Sequence, residues 1–500
     1  MSIRLQCLRR YFVVFSGGGI GGLALATFLA TSSKSARSPN IDVHIYEAAP
    51  SLTEIGAGVG VWLRTWRILS SAGLSEDMKS IALPPGRDMS ENPSKSKLTV
   101  NGVQLGKAFE FRRGDRAPEG LSFYTMQVPF GLLTLHRAEF QRVLAGHAIP
   151  PAQPHFGKRL VSYEYAIEGE YIILNFADGS SARADLLVGA DGIRSPIRRE
   201  VVRRLVSQYL RELISDATEP VWSGTRVYRS LIPMTALESR FPGHRSGRGP
   251  HVLTYPILST ANTSPQANSS GEAIPTSMVN LVAFVSDLTR EGTRLPAGEP
   301  WVRPALQEEV FDKFIGWEDE VLALLELAKK PSVWSIHTAR PLPRYSDALG
   351  RVVLVGDAAH AMTPHQGSGG GQAIEVRLDA HVLAVLLTHP QITRETVPSA
   401  LQAYDAVRVP ISQRVARTSR LTGMMYQLNH SWSEEAKDNK QGDSVERMFS
   451  EAEVERLHQL TEAIIDIHKW VWEKEPEESQ PAQASRLFEE YLKKTTEGRR

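Results

Sequence analysis

The sequence predicts an α/β fold of two lobes followed by a helical tail, and three observations lead to this prediction. A glycine-rich turn at residues 17–22 joins a short apolar run to a helical segment. From about residue 220 the α/β pattern gives way to β-forming residues, and a second apolar run at residues 352–355 then restores it. The residues from 426 to 500 are charged and have helical periodicity.

The first apolar run is predicted to be a buried parallel strand, because residues 11–15 are all aromatic or β-branched. Gly17, Gly19 and Gly22 follow with the spacing G-x-G-x-x-G. A dinucleotide site needs this spacing for a tight turn and for close approach of backbone N–H groups to a pyrophosphate. A second strand ends at Glu47, where a carboxylate can meet the hydroxyls of the adenosine ribose. These features predict a Rossmann-type lobe.

The order of the patterns predicts that the nucleotide-binding domain is discontinuous. It would comprise residues 11–205 and 335–425, with a substrate-binding β-sheet domain at 206–334 and a helical charged tail at 426–500. Strands of the inserted domain are expected at 221–232, 251–257 and 278–286. The segment between the last two is rich in Ser, Thr, Asn, Pro and Gly, which is typical of a surface insertion.

The bulk composition argues against several classes of partner. The net charge of the 500 residues is +1, so nothing favours nucleic acid or an anionic membrane. No apolar run approaches the roughly 20 residues of a membrane span. The apolar stretch near the N-terminus is a poor candidate for a secretory signal, because the glycines of residues 17–22 would lie in its apolar core. Cys7 is the single cysteine, which excludes disulfides within the chain and favours a cytoplasmic location. No residue spacing indicates a metal site, and none indicates the oligomeric state.

A second glycine motif, Gly356-Asp357-Ala-Ala-His360, lies about 340 residues after the first. Their order and their separation indicate that both motifs bind the same dinucleotide, each at a different part of it. The first would hold the pyrophosphate, and the second would lie along a ribityl chain and a flavin ring. The pair therefore predicts FAD as the cofactor. His360 is interpreted as structural, since it belongs to the start of the helix that follows the motif.

With Asp191-Gly192, these motifs resemble the single-component FAD-dependent aromatic hydroxylases, the group that includes p-hydroxybenzoate hydroxylase and salicylate hydroxylase. Fungal salicylate-hydroxylase-like monooxygenases look most similar, and the resemblance covers about residues 12–425. It implies a Rossmann-type FAD-binding lobe with an inserted antiparallel β-sheet substrate lobe. It also implies that Asp191 is associated with FAD and the nicotinamide donor, and that Asp357 bonds the ribityl chain.

Smaller matches extend the predicted FAD site. Arg137 resembles the family arginine that reaches the FAD phosphate or the ribityl region; a salt bridge on a helix is the alternative. Pro364 begins a loop that resembles the family segment passing the flavin ring. Within that loop, Gly370 and Gly371 are the positions where the closest approach is expected, and backbone N–H groups there can stabilise negative charge on the reduced ring.

The resemblance implies a monooxygenase in which NADH or NADPH reduces FAD. O2 then forms a flavin hydroperoxide, and a phenolic or aromatic-acid substrate attacks its distal oxygen, with loss of CO2 where the attacked carbon carries a carboxylate. Two alternatives stay open: a hydroxylase or dearomatase of a polyketide phenol in secondary metabolism, and an FAD-binding NAD(P)H oxidase that has lost hydroxylation. The NAD(P)H oxidase is considered because of residues 376–378, which the family pattern lacks and which would rotate the helix behind the flavin.

Three residues of the β-sheet domain are candidates for the catalytic site. His251 and Tyr255 are four apart on a predicted strand, so their side chains share one face. Histidine has a near-neutral pKa in isolation, which suits removal of a phenolic proton. Arg229 can hold a carboxylate or a phenolate with two N–H groups. The alternatives are a strand histidine bonded to a carbonyl, a packed tyrosine and an arginine bonded across the sheet.

Overall fold

The fold is described from a computed structural model. The residues that it describes are 11–32, 41–52, 58–83, 99–100, 103–115, 117–129, 131–166, 170–208, 215–241, 252–259, 276–366, 379–428, 450–471 and 479–497. His251, Gly370, Gly371 and the three residues 376–378 lie outside these ranges, so their predicted roles stay predictions.

Strands and helices alternate in the first part of the chain and again near its end. The strands are β1 Tyr11–Ser16, β2 Ile41–Tyr46, β3 Gly58–Val61, β4 Ala82–Leu83, β5 Thr99–Val100, β6 Val103–Arg113, β7 Leu121–Pro129, β8 Leu133–His136, β9 Gln153–His155, β10 Leu160–Tyr165, β11 Ile172–Phe176, β12 Ser181–Ala184, β13 Leu186–Gly189, β14 Val221–Pro233, β15 Val252–Ser259, β16 Thr276–Ser286, β17 Val302–Pro304, β18 Ser332–Thr338 and β19 Val352–Leu354. The helices are α1 Ile20–Ser32, α2 Leu63–Ser71, α3 Ser75–Ile81, α4 Arg137–Ala148, α5 Pro196–Gln208, α6 Met234–Arg240, α7 Gln307–Phe311, α8 Asp319–Leu327, α9 Asp357–His360, α10 Val397–Tyr426, α11 Glu451–His468 and α12 Gln480–Glu497.

A five-stranded parallel sheet organises the first lobe, in the order β19-β13-β1-β2-β9. The central strand β1 is apolar because helices cover the sheet, and Val13, Val14 and Phe15 are at most 1% exposed. The carboxyl ends of β1, β13 and β19 lie side by side and lead into the glycine turn, the Asp191-Gly192 turn and the Gly356-Asp357 turn. Ligands of open α/β sheets bind at this edge.

The second lobe is an antiparallel sheet in the order β15-β16-β14-β18-β17. One face, which includes Tyr228, packs against the helices α6, α7 and α8. The opposite face carries Val227, Val282 and Phe284. The two lobes meet where the Thr134 hydroxyl of β8 donates to the Pro256 carbonyl oxygen of β15 at 2.7 Å. The second face therefore lies on the side of the sheet from which Tyr255 reaches the first lobe.

The helical tail predicted for the C-terminal residues is present as α11 and α12. Leu457, Leu460 and Ile464 of α11 pack against the β6–β7 hairpin and against Met425 at the end of α10. Phe488 of α12 is fully buried in the core of the first lobe. Within the described part of the chain, no helix combines the length and the apolar character needed to cross a membrane.

Candidate active site

The predicted G-x-G-x-x-G turn lies between β1 and α1, with α1 beginning at Ile20. The Gly17 N–H donates to the Tyr46 carbonyl oxygen at 2.8 Å, which ties the turn to the neighbouring strand. Gly17 has φ +113°, and a Cβ there would lie 2.3 Å from the Ala190 carbonyl oxygen. A Cβ at Gly19 would meet nothing within 4 Å. The turn thus leaves space beside the N-terminus of α1, where a pyrophosphate can be bound.

Glu47 lies at the end of β2, and both of its carboxylate oxygens accept backbone hydrogen bonds. The Gly18 N–H donates to it at 2.7 Å and the Ala49 N–H at 2.8 Å. Glu47 is therefore fixed beside the glycine turn. Gln141 also belongs to this region, because its buried side chain donates to the Gly18 carbonyl oxygen at 3.2 Å. No sequence motif reveals Gln141, although it lies one helical turn after Arg137 on the same face of α4.

Asp191 follows β13 and leads into a tight turn in which Gly192 has φ +74°. Both carboxylate oxygens are buried, and neither has a hydrogen bond of good geometry with the described residues. Burial raises the pKa of Asp191 to about 7, although the Ser195 hydroxyl and Arg199 oppose this change. A buried carboxylate without a full set of donors suits a site that is completed by the hydroxyl or N–H groups of a ligand.

The raised pKa predicts that Asp191 lowers the stability of the protein without FAD as the pH rises. The unfolded aspartate loses its proton near pH 4, whereas the folded one keeps it until about pH 7. The free energy of unfolding therefore falls between these two values, by at most about 4 kcal/mol. We expect Asp191→Asn to remove this fall when urea denaturation of FAD-depleted protein is followed at about pH 5 and about pH 8. An equal fall in the variant would contradict the assignment.

Gly356 and Asp357 occupy the turn between β19 and α9. Gly356 has φ +61°, a left-handed conformation that favours glycine. Desolvation raises the pKa of the Asp357 carboxyl, while Arg137 and His360 oppose the rise. Asp357 is nevertheless exposed. The carboxylate therefore has protein atoms around it and is still accessible to solvent or to a ligand.

Two buried groups that the motifs did not reveal hold this turn in place. The Arg198 guanidinium, only 2% exposed, donates to the carbonyl oxygens of Ala358 and Ala359 at 3.1 and 2.7 Å. Asp379 accepts from the Gly356 N–H at 2.9 Å and lies 2.7 Å from Nε2 of His360. His360 is buried within this network, a position that supports the interpretation of His360 as structural.

Pro364 lies in the segment that continues from α9 toward the predicted flavin loop. The Thr363 carbonyl oxygen accepts a hydrogen bond from the Ser419 hydroxyl of α10 at 2.5 Å. The His365 ring contacts Phe284 of the second sheet, with 4.9 Å between ring centroids, and packs closely on Gly423. The segment that carries Pro364 therefore packs between α10 and the face of the second sheet that carries Phe284.

Arg229 and Tyr255 extend from the same face of the second sheet. Arg229 lies over the Trp334 ring, 5.2 Å from its centroid, and its Nε is buried without a hydrogen bond to the described residues. Burial lowers the pKa of Arg229; Tyr255 opposes this change and Arg137 adds to it. The Tyr255 ring packs on Gly58 of the first lobe so closely that a Cβ there would lie 2.3 Å from it.

Arg137 connects the two halves of the site. It begins α4 directly after β8, and its charge influences both Asp357 and Arg229. Arg137 is therefore within electrostatic reach of one predicted cofactor residue, Asp357, and of one predicted catalytic residue, Arg229. The open space at Gly19, the buried carboxylate of Asp191 and the exposed carboxylate of Asp357 fit a bound FAD at the edge of the parallel sheet.

Known proteins resemble this chain over most of its length. The family described as FAD binding domain matches residues 10–209 and 327–419. A salicylate hydroxylase of Pseudomonas putida is 36% identical over 424 residues, which are 82% of this chain and 85% of that protein. A 6-methylsalicylate 1-monooxygenase of Aspergillus terreus is 33% identical over 420 residues, with 82% of each chain covered.

The solved structure of a salicylate hydroxylase in complex with its substrate has the same fold. The two superimpose with a TM-score of 0.68 at 28% sequence identity, and the match covers 96% of this chain and 98% of that one. The chain belongs to the family of FAD-dependent monooxygenases that hydroxylate aromatic rings, to which salicylate hydroxylase belongs.

Proposed function

We propose that this chain uses NAD(P)H and O2 to hydroxylate a small phenolic aromatic acid beside bound FAD. The observation that carries the proposal is the position of Arg229 and Tyr255. They extend from one face of the second sheet, and Arg229 lies within electrostatic reach of Arg137, which also influences Asp357. A cation that can hold a carboxylate would then lie close to the residues that would hold FAD. The names of the relatives, which act on salicylate and 6-methylsalicylate, support the same substrate class.

Bound FAD would accept a hydride from NAD(P)H and deliver the electrons to O2, so that an oxygen atom can be transferred to an electron-rich ring. One oxygen atom enters the ring and the other leaves as water, while NAD(P)H supplies the two electrons. Where the attacked carbon carries a carboxylate, CO2 leaves in place of the ring proton. The residues Asp191, Arg137 and Asp357 would hold the cofactor, with Glu47 at its adenosine end.

The second sheet would position and activate the substrate. Arg229 would donate two N–H groups to the carboxylate, and the Tyr255 hydroxyl would bond the phenolic oxygen. Val227, Val282 and Phe284 on the same face would exclude water from the reacting ring. His251, which precedes β15, is the proposed base for the phenolic proton. We also propose a cytoplasmic location, which the single cysteine favours.

NAD(P)H oxidation by FAD-loaded protein in air tests this function, with a panel of hydroxybenzoates and larger phenols and with product masses recorded. We expect an aromatic acid to stimulate oxidation and to gain one oxygen atom, with or without loss of CO2. Oxidation that no phenol stimulates and that yields only hydrogen peroxide would contradict the proposal and favour an NAD(P)H oxidase. Deletion of residues 376–378 would then test whether that segment disables hydroxylation.

A larger polyketide phenol is a second candidate, favoured by the apolar surroundings of the proposed substrate face. Leu253 packs both on this face and on a cluster rich in aromatic residues, which includes Trp62, Phe109 and Tyr426. Such a wall suits several fused rings. A kcat/KM that is higher for multi-ring phenols than for single-ring acids in the same panel would support this candidate over the first.

Arg229→Met tests the role of the substrate-binding cation. A charged hydrogen bond contributes about 1.5–3 kcal/mol, so kcat/KM for an aromatic acid should fall by roughly 10- to 150-fold. The FAD content should stay unchanged, because Arg229 extends from the second sheet. Arg226→Met is the matched control: Arg226 lies on the same strand but faces the other way, where Glu299 binds it at 2.8 Å. Equal losses in both variants, or loss of FAD from the Arg229 variant, would place the substrate elsewhere.

A further inference from the structure

A cationic notch opens at the end of β14 that comprises residues 229–233. It is a cavity of about 420 Å³, a size within the range of roughly 300–1,000 Å³ typical of small-molecule sites. Its lining includes Arg229, Lys329 and Lys330 and no acidic residue, which gives a formal charge of +3. The lysines belong to the turn between α8 and β18.

The notch exists because two neighbouring strands differ in length. Residues 221–229 of β14 pair with β18, whereas residues 230–233 pair only with β16 on their other side. Since β18 begins at Ser332, the β14 backbone beyond Arg229 faces the notch on that side without a partner strand. Backbone N–H groups and the Asn280 side chain add polar atoms to the three cations. This composition suits a carboxylate better than a neutral ligand.

Arg229 belongs both to the notch and to the proposed active site. Its guanidinium lines the cavity together with Trp334, and its charge is felt by Arg137 on the flavin side. No ion pair occupies Lys329 or Lys330 among the described residues, and both are exposed. Cations that are not neutralised raise the local concentration of anions at the mouth of a cleft. The two exposed lysines and Arg229 therefore line one cavity, and Arg229 extends from the face that carries Tyr255.

We propose that this notch is the entrance at which the carboxylate of an aromatic acid is captured before the ring moves to the flavin. The inference rests on the proposed function and adds to it a capture site distinct from the flavin pocket. Lys329 and Lys330 bind the carboxylate first, and Arg229 then receives it. The lysines act on capture and leave the chemical step unchanged.

Steady-state kinetics of the double variant Lys329→Ala/Lys330→Ala test the capture site in FAD-loaded enzyme. We expect KM for a hydroxybenzoate to rise roughly 3- to 10-fold with kcat unchanged, and to lose most of its dependence on salt concentration. KM for the corresponding neutral amide should stay the same. Lys493→Ala/Lys494→Ala, which removes an equally exposed pair of lysines from α12, should behave like the wild type.

Two outcomes of the steady-state kinetics would overturn the inference. An equal rise of KM for the acid and its amide would show that charge is not what the notch recognises. A rise of KM for NADPH, with that for NADH and the acid unchanged, would assign the notch to the phosphate of the nicotinamide donor. Rapid mixing with the acid, followed over time through the flavin absorbance, separates the two proposals. If the wild type binds no aromatic acid, the proposed function fails; if it binds one and the double variant associates with it at the same rate, only the capture site fails.

Discussion

Replacing Arg408 with methionine is expected to lower the free energy of unfolding by about 3–5 kcal/mol and to weaken FAD binding. Arg408 lies on α10 with no exposed surface, and its Nε donates to the Asp379 carboxylate at 2.6 Å. Removing the cation leaves a buried carboxylate that has lost its guanidinium partner and keeps His360 and the Gly356 N–H. A charge left unpaired in the interior costs far more than the net contribution of the pair itself.

The loss should reach the cofactor because Asp379 also holds the flavin-side turn. Burial alone would raise the pKa of Asp379, but His360, Arg408 and the Gly356 N–H together hold it well below its usual value. The carboxylate thus stays charged and keeps the Gly356–Asp357 turn in place. The Gln480 side chain at the start of α12 accepts from Nη1 of Arg408 at 2.6 Å. The C-terminal helix thereby supports the same network.

Urea denaturation and FAD release on dilution measure the two effects. Arg414→Met, on an exposed face of the same helix, should change the free energy of unfolding by no more than about 0.5 kcal/mol. Adding Asp379→Asn to Arg408→Met removes the uncompensated charge and should restore part of the stability. A double variant that is less stable than Arg408→Met alone would show that this carboxylate is not the source of the loss.

The parts of the fold that sequence predicted well are those with short-range causes. Tyr11–Ser16, the glycine turn and α1 follow from an apolar run, residues without Cβ and a helical segment that are adjacent in the chain. The β14 and β16 strands were equally visible from their β-branched residues. The domain boundary at residue 334 stays a prediction, and it falls within β18, which pairs with β14 over residues 332–338.

The β6–β7 hairpin was missed because buried charges interrupt its pattern. Glu110 and Arg112 are 6% and 8% exposed, and Arg112 is satisfied by Glu318 at 2.7 Å, a residue 206 positions away. Arg198 contacts carbonyl oxygens 160 and 161 positions away and Arg408 contacts Asp379, which is 29 positions away, so no local pattern identified either arginine as a support of the Gly356–Asp357 turn. Sequence motifs reveal residues that touch a ligand. The residues that support those motifs can be identified only from their contacts in the tertiary structure.

Alanine substitutions at the three glycines of the first motif are expected to have two different effects. Those at Gly17 and Gly22 should lower the stability of the protein, whereas the one at Gly19 should weaken FAD binding. A Cβ at Gly17 would lie 2.3 Å from the Ala190 carbonyl oxygen, and one at Gly22 would lie 2.2 Å from the Gly17 carbonyl oxygen. Both atoms are backbone, so the main chain must shift. Gly17→Ala and Gly22→Ala should therefore destabilise the protein even without FAD, by about 2 kcal/mol or more each.

Gly19→Ala should behave differently, since its Cβ meets no atom of the chain within 4 Å. The free energy of unfolding of FAD-depleted protein should stay within about 0.5 kcal/mol of the wild type. FAD affinity should nonetheless fall at least about tenfold, because the added methyl group occupies the space through which backbone N–H groups approach the pyrophosphate. Gly146→Ala, which also meets nothing within 4 Å but lies far along α4, is the matched control for both measurements. Wild-type FAD affinity in Gly19→Ala would mean that the pyrophosphate does not lie against this turn.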